Sequence, residues 1–247
     1  MDIKGEKDRI RKYIWDLMEE RNIANFPRPV YGRIPNFIGA EKAARRLLNI
    51  REFMSANIVK ANPDSPQKSA RRLCLNLGKK LIMASPRLKK GFLLLDPCII
   101  PRRFYSQAST IRGAFKWGRE ISLRELPKID FIITGSVAVS PLDGARIGKG
   151  GGYAELEYAI LREYDLIDEN VPIATTVHDI QVIKKIPREE HDITVDFILT
   201  PTRGMKVRNR GARPQGIIWD LLSLKKIEEI PILAQLHKEK TKKSHFP

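Results

Sequence analysis

Arg146, Lys149 and the glycines at 148, 150, 151 and 152 are the densest set of chemistry-bearing positions in this 247-residue sequence. They follow Asp130–Ser140, DFIITGSVAVS, whose β-branched, apolar character reads as a buried strand. Pro141, Asp143 and Gly144 then break the strand, and a helical pattern resumes after Tyr153. A loop without Cβ atoms can bring backbone N–H groups close to a ligand, and the helix N-terminus behind it adds partial positive charge. With Arg146 and Lys149 interleaved, that combination favours phosphate. A plain strand-to-helix connection is the competing reading. No Gly-Lys-Ser/Thr closes the loop as in a P-loop, and the loop lies too late in the chain for the first βα turn of a dinucleotide fold.

A second block lies about forty residues further on: Pro187-Arg188-Glu189-Glu190-His191-Asp192-Ile193-Thr194-Val195-Asp196-Phe197-Ile198-Leu199-Thr200. The first block, Arg146-Ile147-Gly148-Lys149-Gly150-Gly151-Gly152-Tyr153, fits R-[LI]-G-x-G-x-G-Y, and the second fits P-x-E-x-H-D-x-x-[VL]-D-x-[IV]-[IL]-T. In this order and at this distance the two resemble the 5-formyltetrahydrofolate cyclo-ligase (methenyltetrahydrofolate synthetase) family. Val59–Asp96 looks closest to a divergent branch that includes cyclo-ligase-like domains of methenyltetrahydrofolate synthetase domain-containing proteins.

The resemblance implies a single-domain, three-layer α/β/α fold with a mainly parallel sheet, of the NagB/RpiA/CoA-transferase-like kind. It also implies a reaction: transfer of the γ-phosphate of ATP to the formyl oxygen of 5-formyltetrahydrofolate or a related formylated pterin, then ring closure to 5,10-methenyltetrahydrofolate with ADP and phosphate. Such a transfer needs cations on the phosphoryl group and carboxylate-held magnesium. Carried over by position, Arg146, Ile147, Gly148, Lys149, Gly150, Gly151, Gly152 and Tyr153 wrap the triphosphate, with Lys149 and Arg146 as the catalytic cations. Lys7 and Arg11, from Lys7-x-x-Ile10-Arg11, reach the phosphates, and Glu155 and Asp192 hold Mg2+. Ala154 stands where the family motif has a second tyrosine, and Glu155 where it has Asp. His191 is assigned no proton-transfer role, and His178-Asp179 reads as the start of a turn.

These residues need elements to position them. Ile10, Tyr13, Ile14, Leu17 and Met18 recur at helical spacing, which predicts a helix over Gly5–Arg21 with Lys7 and Arg11 on its polar face. Further helices are expected over Ile38–Phe53 and from a Ser65 cap and Pro66 first turn to Gly78. Strands are expected at Ala56–Ala61, Gly78–Pro86, Phe92–Asp96, Asp130–Val139, Val171–Thr176 and Asp196–Pro201. Strand–helix alternation predicts a parallel sheet whose ligands bind at the strands' carboxyl ends.

The chain carries 45 Lys and Arg against 29 Asp and Glu, a formal net charge of +16, and excess cations attract polyanions. Arg203, Lys206, Arg208, Arg210 and Arg213 form a basic extension from about residue 201 with no acidic residue among them. Two uses are open to it, closing over a nucleotide or binding RNA, and the nucleotide clamp is the favoured one because no aromatic stacking platform is visible. A non-catalytic nucleotide- or RNA-binding protein is therefore the alternative function. Apolar runs are too short for a membrane span, Met1–Glu20 is not a signal peptide, and Cys74 and Cys98 lack metal-type spacing, so a cytoplasmic location is the expectation. The polar end Lys238–Pro247 is expected to fray.

Overall fold

The computed structural model describes residues 2–243. Ten strands form: β1 Ile58–Ala61, β2 Lys80–Ala84, β3 Phe92–Leu95, β4 Arg119–Ile121, β5 Phe131–Thr134, β6 Ala138–Val139, β7 Arg146–Ile147, β8 Ile173–Thr176, β9 Phe197–Leu199 and β10 Gly204–Lys206. Eight build one sheet in the order β10-β9-β8-β5-β1-β2-β3-β4, and β6 and β7 make a separate hairpin. The run β9, β8, β5, β1, β2 is parallel. The other pairs in the sheet, β2 with β3, β3 with β4, and β9 with β10, are antiparallel.

Side-chain alternation divides the core between the two faces of the sheet. Leu81 and Met83 of β2 face one side with α4 (Lys68–Asn76), while Ile82 and Ala84 face the other with α7 (Tyr153–Glu163). The fold is thus a mainly parallel sheet between helical layers, as expected. A third apolar cluster joins α1 (Ile3–Glu20), through Ile14 and Met18, to Ala138 and Ile147 of the β6–β7 hairpin. Among the described residues, no helix is long and apolar enough to cross a membrane.

Several elements differ from the expected ones for identifiable reasons. Seven residues, 85–91, join β2 to β3, too few for the crossover that parallel strands require, so β3 runs antiparallel. The expected helix at Ile38–Phe53 is broken into α2 (Ala40–Arg45), a 3-10 turn and α3 (Arg51–Ser55). At 100° per residue, Ala44 and Phe53 would lie on opposite faces of one continuous helix. Extended backbone at Ile50, φ −101° and ψ 114°, brings both into the same core.

The strand expected over Asp130–Val139 leaves the sheet at Thr134, and Ala138–Val139 pairs instead with Arg146–Ile147. Gln181 Nε2 donates to the carbonyls of Ser136 and Val137 at 2.9 and 3.1 Å, satisfying backbone that the sheet no longer serves. Pro66 begins a turn as expected, yet Ser65 does not cap it; Asp64 is the N-cap residue and its carboxylate makes no capping bond. The chain end is less frayed than expected: after α8 (Leu224–Glu229), α9 spans Pro231–Lys243 and buries Leu233 and Leu236, while residues 244–247 lie outside the described ones.

Candidate phosphate-binding cleft

The β6–β7 hairpin sets the candidate site. Arg146 sits in β7 opposite Val139, so its side chain is fixed by strand register, and the glycine loop then carries the chain into α7. Gly150 and Gly152 have φ of +95° and +68°, a region that side-chain-bearing residues rarely adopt, and Gly152 is the N-cap of α7. The loop borders a cleft of about 670 Å³ at the carboxyl ends of the parallel strands. All twelve residues singled out from the sequence line it: Lys7 and Arg11 from α1, Arg146 through Tyr153, Glu155 and Asp192.

Arg146 is 1% exposed and pairs through Nη2 with Glu155, while its Nε and Nη1 have no acceptor. Two unpaired donors on a buried guanidinium are costly unless an anion supplies the missing oxygens. Lys7, placed by the sequence reading on a polar helix face, is buried; Nζ lies 2.7 Å from Glu189 Oε2 and 2.5 Å from Asp192 Oδ2. Arg11 Nε donates to the Gly148 carbonyl at 2.8 Å, so this cation orients the loop as well as facing the cleft. Lys149 reaches across the cleft to Asp64 Oδ1 at 2.8 Å.

The two carboxylates expected to hold magnesium both face the cleft, each paired with a cation of the protein. The ligand atoms of Glu189, His191 and Asp192 lie within 4.8 Å of one another, and Glu155 is outside that cluster. The carboxylate oxygens of Glu155, Glu189 and Asp192 suit a hard cation, and His191 adds a nitrogen donor.

Sequence reasoning missed three supports of the site. Lys60 of β1 and Glu157 of α7 form a buried pair, with Asn62 donating to Glu157 Oε2 at 3.0 Å; Asn62 also lines the cleft floor. Burial pushes the Glu157 carboxyl above its ordinary range, with Lys60 working against that shift. Arg71, 1% exposed, donates to the carbonyls of Asn62, Asp64 and Ser109 and so fixes the loop that presents Asp64. Its burial brings the guanidinium down to about 10, which leaves it charged at neutral pH. Lys226 of α8 sits 3.7 Å from the centre of the Tyr153 ring and 3.3 Å from the Gly151 carbonyl. Lys60 and Glu157 are 97 residues apart and Lys226 and Gly151 are 75 apart, and no local pattern marks such pairings.

The basic extension, expected to clamp a nucleotide, stands apart from the cleft. None of Arg203, Lys206, Arg208, Arg210 and Arg213 lines the cleft. Arg213 is buried on Asp196, Thr194 and Val171; Arg210 pairs with Asp196, Arg203 with Asp179 and Lys206 with Glu52. Only Arg208 of the five lacks an ion pair among the described residues. His178 accepts from Ile180 N and starts a short turn, as expected, and Asp196 supports the entry to β8 by accepting from Ile173 N at 2.7 Å.

The Lys149–Asp64 bridge is exposed on the lysine side, so its net worth for the fold is about 0–1 kcal/mol. Asp64→Asn should therefore leave the melting temperature unchanged and, by releasing Lys149, raise affinity for a triphosphate a few-fold. Lys149→Ala should lower that affinity with the fold intact. Calorimetric titration checks both, and unchanged affinities would remove the pair from the site.

The family model for the 5-formyltetrahydrofolate cyclo-ligase family matches residues 3–201. A methenyltetrahydrofolate synthase domain-containing protein of Bos taurus is 41% identical over 239 residues, 94% of this chain, which spans 62% of that relative's length. A 5-formyltetrahydrofolate cyclo-ligase of Mycolicibacterium smegmatis is 27% identical over 119 residues, covering 40% of this chain and 58% of that one. The solved structure of the 5,10-methenyltetrahydrofolate synthetase of Aquifex aeolicus shares the fold, with a TM-score of 0.52 and 20% identity over 83% of this chain and 95% of that one.

Proposed function

The chain belongs to the 5-formyltetrahydrofolate cyclo-ligase family, and from that membership and the charge of the cleft we propose a magnesium- and ATP-dependent cyclo-ligase. Its substrate is 5-formyltetrahydrofolate or a related formylated pterin, and its products are 5,10-methenyltetrahydrofolate, ADP and phosphate. The observation that carries the reading is Arg146: a buried guanidinium on the cleft wall with two donors unpaired, beside a glycine loop and a helix N-terminus.

In this reading Arg146 and the loop N–H groups bind the triphosphate, and Lys149, once free of Asp64, spreads the charge of the phosphoryl group in transfer. Arg11 holds the loop in place through the Gly148 carbonyl. Glu155 and Asp192 would hold magnesium, which would supply positive charge against the phosphates. Lys7 supplies the countercharge to Asp192 and Glu189. Glu155→Gln and Asp192→Asn should each raise the magnesium concentration needed for nucleotide binding, because an amide keeps the shape but loses the anionic oxygen. Magnesium titrations that coincide with wild type would remove these two positions from the metal set.

The test of the reaction is direct. Protein, magnesium-ATP and 5-formyltetrahydrofolate are mixed, and the near-ultraviolet absorbance of the methenyl product is followed. Its growth in proportion to enzyme is the expected result. A second reading, a nucleotide-binding protein without turnover, is favoured by the Lys149–Asp64 bridge, which ties off the loop's exposed cation. ATP binding with no methenyl product would select it.

A further inference from the structure

Across the sheet from α7, α8 and α9, the chain between β3 and β4 builds a cationic surface that the cleft does not use. Residues 97–119 contain Arg102, Arg103, Arg112, Lys116 and Arg119 and no carboxylate. Of these cations only Arg119 has an ion pair among the described residues, with Glu125 at 4.0 Å. The segment folds as α5 (Tyr105–Ala108) and α6 (Ile111–Trp117), pressed together where Gly113 passes Gln107; a Cβ at position 113 would lie 1.8 Å from the Gln107 carbonyl oxygen. Ala108 and Ala114 are buried in the core cluster that α4 also joins, which leaves Arg112, Phe115 and Lys116 exposed. None of those three lines the cleft.

Large apolar side chains stand among these cations. Ile99 is 75% exposed and Phe115 41%. The turn that carries Ile99 is fastened to α5 by the Tyr105 hydroxyl, which donates to the Pro97 carbonyl at 2.9 Å. Phe104 and Trp117 stack with centroids 4.4 Å apart, Arg103 lies 5.0 Å from the centre of the Phe104 ring, and Lys116 lies 5.5 Å from that of Trp117. Both rings pack against the core cluster, so two cations are held on a rigid base.

Unpaired cations beside exposed apolar groups suit a partner that offers negative charge and an apolar phase together. Single-stranded nucleic acid needs free ring faces for its bases, and the Phe104 and Trp117 rings are already engaged by each other and by Arg103 and Lys116. An aliphatic side chain such as Ile99 gains from leaving water for acyl chains, which a phosphate backbone does not offer. We propose that this surface docks on an anionic lipid bilayer, with Ile99 and Phe115 entering the boundary between headgroups and acyl chains while Arg102, Arg103, Arg112 and Lys116 meet the anionic headgroups. The contact is peripheral and does not depend on what the cleft binds.

The experiment sediments the intact protein with vesicles of phosphatidylcholine alone and with vesicles that also contain phosphatidylserine, and wild type is expected to bind only the second. Arg102→Gln/Arg112→Gln should weaken that binding about twentyfold, each cation near an anionic surface being worth about fivefold. Ile99→Ser, at a position too exposed to decide folding, should weaken it several-fold, and Ile99→Ser/Phe115→Ser at least about tenfold. Lys225→Gln/Lys238→Gln removes the same charge from exposed lysines of α8 and α9 across the sheet and should stay within about twofold of wild type, because salt screens charges so distant from the bilayer. Equal losses in the two charge variants would reduce the binding to bulk attraction of a protein with net charge +16 and overturn the proposal. So would wild-type binding by both Ile99 variants, or a wild type that ignores anionic vesicles. A gel shift with single-stranded RNA runs beside the sedimentation: RNA capture lost in Arg102→Gln/Arg112→Gln, with vesicles ignored, would give the surface to nucleic acid instead.

Discussion

Arg146→Met is expected to lower ATP affinity by at least about a hundredfold, the largest effect of any single change in the cleft. Two charge-assisted hydrogen bonds to an anion contribute about 1.5–3 kcal/mol each, and every 1.4 kcal/mol is tenfold in affinity. The same change strips Glu155 of its partner, and Glu155 is only 14% exposed at its side chain, so some loss of stability accompanies it. Arg146→Lys separates the two consequences. A lysine keeps one positive charge for Glu155 but cannot present a planar fork with several donors, so stability should largely return while affinity does not. Calorimetric titration with ATP, run beside thermal melts of both variants, reads the outcome. Wild-type affinity in a folded Arg146→Lys protein would show that the unpaired donors serve no anion.

The second large effect falls on the fold. Lys60→Met leaves Glu157 as a lone carboxylate with 5% side-chain exposure, and breaking such a buried pair costs about 3–5 kcal/mol. For a chain of this size that corresponds to a melting temperature lower by roughly 6–20 °C. The double variant Lys60→Met/Glu157→Leu removes both charges and should recover most of the loss, because a well-packed apolar pair avoids the desolvation penalty altogether. Additive losses in the double variant, seen by thermal melts, would mean that the two residues act independently. The cleft should respond as well, since Asn62 on its floor is bonded to Glu157.

What could be read from the sequence follows the range of the forces involved. The parallel strands were legible because β-branched runs such as Phe131–Ile133 need no partner to announce burial. The glycine loop and the Glu189–Asp192 block were legible as motifs, and the structure brings them together in one cleft. Illegible were the places where a distant residue decides. Lys7 looks like one more cation on a solvated helix face until Asp192, 185 residues away, draws it inside. Arg213 looks like one more cation of the basic extension, and Asp196 makes it a buried brace. Helix Ile38–Phe53 was misjudged because propensity does not register that Phe53 must turn to meet Phe131.

Two of the contacts on the glycine loop come from elements far from it in sequence and on either side of it, Arg11 of α1 at Gly148 and Lys226 of α8 at Gly151. During synthesis α1 is made before the loop it contacts, and Lys7 meets neither Glu189 nor Asp192 until those residues have been made. The loop gains its last anchor only with Lys226. A nascent chain stalled in β8 would thus own most of the sheet and the glycine loop, but neither Lys226 on that loop nor the carboxylates that pair with Lys7. Contacts between residues so far apart in the chain form slowly, so the packing around the loop belongs to the late part of folding.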